Sequence, residues 1–215
     1  MKLWNIVITF LFVIGSIIFA VWLLFGKEKQ AVNLAESEGN VPEVLLRLAW
    51  AQENFQTSCT KDTDKDQIGE YGPIENFVGY SNDRFGVFPP FSTHKKQGFI
   101  AYLNYNYCIY LPKNIDSQER HWVCYAWPSF KIFRMKPTKA FVINEQGVIY
   151  YCPAHNYVGN KIPSPYAAFV TTDDEGDDNK WIIASSEKQQ ISNDNERWEK
   201  GQSIVKNVKD AKKQH

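Results

Sequence analysis

The segment Asp62-Thr63-Asp64-Lys65-Asp66-Gln67-Ile68-Gly69-Glu70-Tyr71-Gly72 sets an aspartate at every second position and a glutamate shortly after. Carboxylates alternating through a turn can aim several oxygens at one point, and Ca²⁺ takes roughly six to eight oxygen ligands. Asp62, Asp64, Asp66 and Glu70 are therefore the candidate metal ligands, with Ca²⁺ as the cofactor they fit. The EF-hand pattern is not met. Gln67 stands where that loop has its sixth-position glycine, Pro73 stands at the twelfth position, and Lys65 lies inside. The competing reading is a surface loop of Asx turns with solvated charges. A second acidic run, Asp173 to Asn179, has less regular spacing and reads as a solvated loop.

The four cysteines, Cys59, Cys108, Cys124 and Cys152, lack the close pairs of zinc knuckles, so a disulfide framework outweighs a metal site. If the strands around Cys108 and Cys124 form a hairpin symmetrical about Asp116, those two cysteines face each other and Cys59 is left with Cys152. That is one of about three pairings four cysteines allow. Disulfides persist in oxidising compartments, which places this part of the chain outside the cytoplasm. Cys152-Pro153-Ala154-His155 lacks the second cysteine of a redox pair, so a structural role is preferred to a histidine-activated thiol. His94, His121, His155 and His215 are scattered, and the chain has no Gly-x-Ser-x-Gly elbow, His-Glu-x-x-His helix or phosphate-binding glycine loop. No catalytic residue is assigned, and the expectation is a protein that is not an enzyme.

The elements that position these residues begin with an uncharged run from Leu3 to Phe25. As a helix it would measure about 34 Å against a hydrocarbon core of about 30 Å, so a transmembrane signal anchor is expected over 3–25. It is longer than the apolar region of a cleaved signal peptide. Residues 1–2 would be cytoplasmic and 26–40 a polar juxtamembrane spacer. Asn40 and Glu43 then form a capping-box pattern with Pro42 in a first turn, and Val44, Leu45, Leu48, Ala51 and Phe55 share one helical face.

Beyond a loop at 58–93 the period changes to two. Gly98–Leu111 alternates as a strand, Trp122–Trp127 is a second candidate, and Ala140–Ile143 with Val148–Tyr151 reads as a hairpin around Asn144-Glu145-Gln146-Gly147. A helix followed by antiparallel strands predicts an α+β domain over 41–186, with 187–215 a polar tail. Lysine plus arginine and aspartate plus glutamate both number 24, so the net charge is zero, against a nucleic-acid partner. Aromatic residues make up 15% of the chain, ample for a packed core.

The helix Leu45-Leu46-Arg47-Leu48-Ala49-Trp50-Ala51-Gln52-Glu53-Asn54-Phe55 followed by the Asp62–Gly72 string resembles bacterial pseudopilin-like proteins related to the type II secretion major pseudopilin. Gly98-Phe99, Ala126-Trp127-Pro128 and Phe141-Val142-Ile143-Asn144-Glu145-Gln146-Gly147-Val148-Ile149-Tyr150 are similar to segments of an uncharacterised periplasmic family. The resemblance covers roughly residues 42–152. It implies an N-terminal membrane helix and a pilin-like helix packed on an antiparallel β-sheet outside the cytoplasm. Pilin precursors carry a glycine-aromatic cleavage site and an early helix glutamate, and Leu3–Phe25 has no glutamate. The expectation is therefore a bacterial single-pass membrane protein, anchored through 3–25, whose extracytoplasmic domain makes protein contacts beside a secretion apparatus. A calcium-stabilised binding or sensor domain is the alternative.

Overall fold

Apolar side chains that recur every three to four residues need a surface to cover, and here that surface is a meander of antiparallel strands. The computed structural model describes residues 2–79, 85–89, 93–94, 98–130, 138–169, 183–184 and 192–201. One long helix, α1 (Lys2–Thr57), leads the chain. Strands β1 (Thr93–His94), β2 (Phe99–Tyr102), β3 (Tyr105–Tyr110), β4 (Val123–Pro128), β5 (Lys139–Asn144), β6 (Ile149–Pro153) and β7 (Glu199–Lys200) follow, with a short helix α2 (Ile115–Gln118) between β3 and β4. The strands pair in sequence order, all antiparallel, as one seven-stranded sheet.

The C-terminal part of α1 lies on one face of this sheet. Val41, Val44, Leu45, Leu48, Ala51 and Phe55 are buried with Tyr105, Tyr107, Ile109, Trp122, Cys124, Phe141 and Ile143. Val41 apart, this is the expected stripe, and each fully buried Leu contributes about 1.5–3 kcal/mol through apolar area removed from water. Polar contacts fix where docking begins. Asn104 Nδ2 donates to Ser37 Oγ at 3.0 Å, and the Lys139 backbone N–H donates to Glu38 Oε2 at 3.2 Å.

The N-terminal expectation is corrected. Among the described residues no helix is long and apolar enough to cross a membrane, so the transmembrane helix expected over 3–25 is not found. The stretch is instead the start of α1, which continues without a break through 26–40, where a spacer was expected. The capping-box pattern at Asn40 starts no helix, and Pro42 lies in the helix interior.

The sheet's other face is covered by the chain after β6. Phe99, Cys108, Val123, Tyr125, Trp127, Val142 and Cys152 pack there with Tyr157, Ala168, Phe169, Ile183 and Trp198. Burial on both faces explains why Val123-Cys124-Tyr125-Ala126-Trp127-Pro128 is buried throughout, with no polar alternation. Trp198 falls within the expected polar tail. Its side chain is buried, and its indole N–H faces Asp194, whose carboxylate also accepts from Tyr157 Oη and Ser192 Oγ. Residues 202–215, and the acidic run at 173–179, lie outside the described residues.

Gly98–Leu111 is a hairpin and not one strand. Tyr102 pairs with Tyr105, and the two residues between them, Leu103 and Asn104, have φ of 46° and 61°. Positive φ at both central positions makes the tight turn whose twist matches the flanking strands. The β5–β6 hairpin forms as expected, with Gly147 at φ 66° and its N–H donating to the Asn144 carbonyl at 2.9 Å.

Candidate functional site

The end of α1 places the acidic loop. Cys59 takes φ 47°, so its N–H reaches the Gln56 carbonyl (2.9 Å) and the Thr60 N–H reaches that of Phe55 (3.5 Å). These two bonds satisfy orphan carbonyls in the manner of a Schellman cap and turn the chain back along the helix. The Gln52 side-chain amide then holds the returning strand, donating to the Gly72 carbonyl (2.7 Å) and accepting from the Gly72 N–H (2.9 Å). Between them, Gly69 packs so closely that a Cβ would run into the Gln56 carbonyl oxygen. That approach admits only glycine.

The far side of the loop meets α2. The Tyr71 N–H donates to the Gln118 carbonyl at 3.0 Å, Lys61 Nζ donates to Gln118 Oε1 at 3.1 Å, and the Gln56 amide donates to the Glu119 carbonyl. Residues from three places in the sequence are thereby fixed around one loop.

Within it, Asp62, Asp64 and Asp66 each bring a carboxylate oxygen within 4.8 Å of the others. One oxygen of each is engaged by backbone. Asp62 Oδ2 accepts from the Gln67 N–H (3.2 Å), Asp64 Oδ1 from the Asp66 N–H (3.3 Å), and Asp66 Oδ1 from the Ile68 N–H (2.7 Å). Asp62 Oδ1 is buried and accepts no hydrogen bond. Lys65 and Gln67 adopt φ of 65° and 75° to carry the aspartates around, so the left-handed position that an EF-hand gives to glycine is occupied here by Gln67.

Glu70 lies outside the triad but reaches into the loop. Its side chain is fully buried, Oε1 accepts from the Thr63 N–H at 3.0 Å with Lys61 Nζ at 3.8 Å, and Oε2 has no partner. Burial favours its neutral form, but the Thr63 and backbone donors and Lys61 outweigh it and hold its pKa below the ordinary value. Glu119 was not singled out by the sequence reading. Burial, then the charges of Asp66, Asp64, Asp116 and Glu70, push its carboxyl up, and its buried Oε1 has no partner. Its contribution arises from tertiary placement after β3, a relation that spacing along the chain does not reveal.

The disulfides are not formed. All four cysteines are free thiols, Cys59 exposed and the other three buried. Cys108 pairs with Tyr125 and Cys124 with Ile109, one residue away from the symmetrical register. A slip of one residue sends a side chain to the other face, so Cys108 joins the core away from α1 while Cys124 joins the core beneath it. Cys59 at the end of α1 and Cys152 on β6 are likewise unpaired, and the argument from disulfides to an oxidising compartment loses its basis. Burial pushes the Cys108 thiol up to about 11 and raises Cys124 and Cys152 as well, which disfavours the thiolate at all three.

No protein-family model, curated protein or solved structure matches the chain.

Proposed function

We propose that this chain is a non-catalytic protein-contact module of the pseudopilin-like kind, in which a helix-on-sheet domain holds out a long N-terminal helix for partners to cover. The observation that carries this reading is the exposure of Val13, Ile14, Ile18 and Phe19 on α1, ahead of the docked part that begins at Ser37. From Phe19 to Ser37 a helix rises about 27 Å. Exposed apolar side chains on such a helix call for a covering surface. A photoreactive residue placed at Phe19, against one at exposed Lys113, tests the reading in the cell of origin. Discrete protein adducts from position 19 alone are expected; equal labelling from both positions, or none, would overturn it.

A second reading is favoured by a separate observation. The gathering of Asp62, Asp64 and Asp66, with the buried Glu70 beside them, supports a domain stabilised by Ca²⁺. On this reading the loop binds Ca²⁺ through its carboxylates, and calorimetric titration of the whole protein with CaCl₂ gives a saturating isotherm. Absence of heat at millimolar Ca²⁺ counts decisively against it.

A further inference from the structure

Two conformations compete for the residues around Gly39. Along the sequence, Asn40-Val41-Pro42-Glu43 can form a capped helix start. In that form the Asn40 side chain accepts from the Glu43 N–H, the Glu43 carboxylate reaches back to the Asn40 N–H, and Pro42 lies in a first turn where no N–H is needed. In the fold, α1 instead runs through these residues as continuous helix. The continuous form forgoes the bond that residue 42 would donate to the Glu38 carbonyl, and the proline ring crowds that turn. Gly39 weakens the same turn. Nothing lies within 4 Å of where its Cβ would be, so packing does not require glycine there, and its backbone freedom favours leaving the helix. Glu43 is engaged away from Asn40, accepting from Arg47 Nη2 at 2.6 Å on an exposed face.

A clasp on the sheet opposes the break. Glu38 Oε2 accepts from the Lys139 backbone N–H at 3.2 Å, and Glu38 Oε1 lies 3.8 Å from Lys139 Nζ. That ammonium stands 4.6 Å from the centre of the Tyr151 ring, and Tyr105 Oη donates to the Lys139 carbonyl at 3.1 Å, so the receiving strand is itself held on both sides. One residue earlier, buried Ser37 accepts from Asn104 in the β2–β3 turn. The core stripe begins at Val41, so the clasp is what ties the residues just ahead of Asn40 to the sheet.

We infer that residues 38–42 are a two-state joint. With the clasp closed α1 is one helix; with it open the helix starts afresh at Asn40 and the arm ahead of it changes direction. Each state keeps a contact that the other loses, the Glu38 clasp in one and the Asn40 cap in the other, which is the condition for shifting a population between them. The joint goes beyond the protein-contact reading and does not depend on it, because it governs where the arm bearing Ile18 and Phe19 points, whatever covers that arm.

Pulsed dipolar spectroscopy on the full chain tests this, with one spin label on exposed Cys59 and one on Ala35→Cys, also an exposed position. Along a straight helix the two positions lie about 36 Å apart, and the otherwise native chain is expected to give one narrow distance near that value. Glu38→Ala is expected to raise the population of shorter distances about fivefold or more, the scale of losing a hydrogen bond to a charged group. Alanine is the better helix former, so local propensity alone predicts the opposite. Lys139→Gln opens the same clasp from the strand side and gives a smaller change of the same sign, since its backbone N–H still reaches Glu38. Adding Asn40→Ala to Glu38→Ala is expected to lower the bent population about fivefold, as loss of an N-cap does. An unchanged narrow distance in both clasp variants overturns the clasp, and a broad distribution in the native background overturns its being closed. Bending that Asn40→Ala leaves untouched overturns the capped start as the second state.

Discussion

The acidic loop closes through residues that lack the side chain best suited to their backbone. Gln67 at φ 75° and Lys65 at φ 65° occupy the left-handed region, which costs an ordinary L-residue about 1–2 kcal/mol. Gln67 is exposed, and no contact of its side chain offsets that strain; its N–H and carbonyl serve Asp62 and Cys59 through the backbone, which glycine would keep. Gln67→Gly is therefore expected to stabilise the chain by about 1 kcal/mol, less the entropy that glycine loses on folding, and to tighten Ca²⁺ binding if the loop is better preformed. A melting curve with and without Ca²⁺ reads both; a clear fall in melting temperature would mean that the loop does not hold this conformation. The aspartates were legible because the period of two is visible along the chain. Glu119 was not, since nothing local marks a glutamate near the end of a four-residue helix as the neighbour of a loop about fifty residues earlier. Cys108 and Cys124 miss each other by a single residue of register, which no local signal along the chain fixes.

At the scale of elements, the apolar stripe of α1, the β4 strand and the β5–β6 hairpin were all readable, each from a period and a turn residue. The boundaries failed where local chemistry gave the wrong punctuation. Leu103-Asn104 makes a tight turn without glycine, so alternation ran straight through it. Asn40 and Pro42 looked like a helix start, yet α1 passes through them because the segment from Ser37 onward is held to the sheet by Asn104 and Lys139. A proline in a first turn sacrifices nothing, whereas one in the interior removes the bond its N–H would make to the carbonyl of Glu38 and crowds that turn. Pro42→Ala thus separates the two arrangements. The continuous helix predicts a gain of about 1–3 kcal/mol in chemical denaturation. No change, or a loss, would indicate that the helix begins near Val41 after all.

For the whole molecule, the decisive feature is that the sheet is covered on both faces, by α1 on one and by the chain beyond β6 on the other. The cysteines sample this architecture directly: Cys124 sits beneath α1, Cys108 and Cys152 lie in the opposite core, and Cys59 is at the exposed end of the helix. A thiol must be reached by reagent and ionised to react, and burial opposes both at the three core positions. Cys59 is open to solvent, with its Sγ donating to the Gln67 carbonyl at 3.3 Å. Titration of the native protein with a disulfide reagent is therefore expected to modify one thiol quickly, and all four after unfolding in denaturant without reductant. Fewer than four in denaturant would reveal a bridge and restore the case for an oxidising compartment. More than one rapid reaction in the native state would mean that a face of the sheet is open. Because Cys59 caps the helix from which the acidic loop departs, its rate should also fall when Ca²⁺ is added, through the bond to Gln67 that a rigid loop would hold in place. An unchanged rate at saturating Ca²⁺ would disconnect the cap from the site.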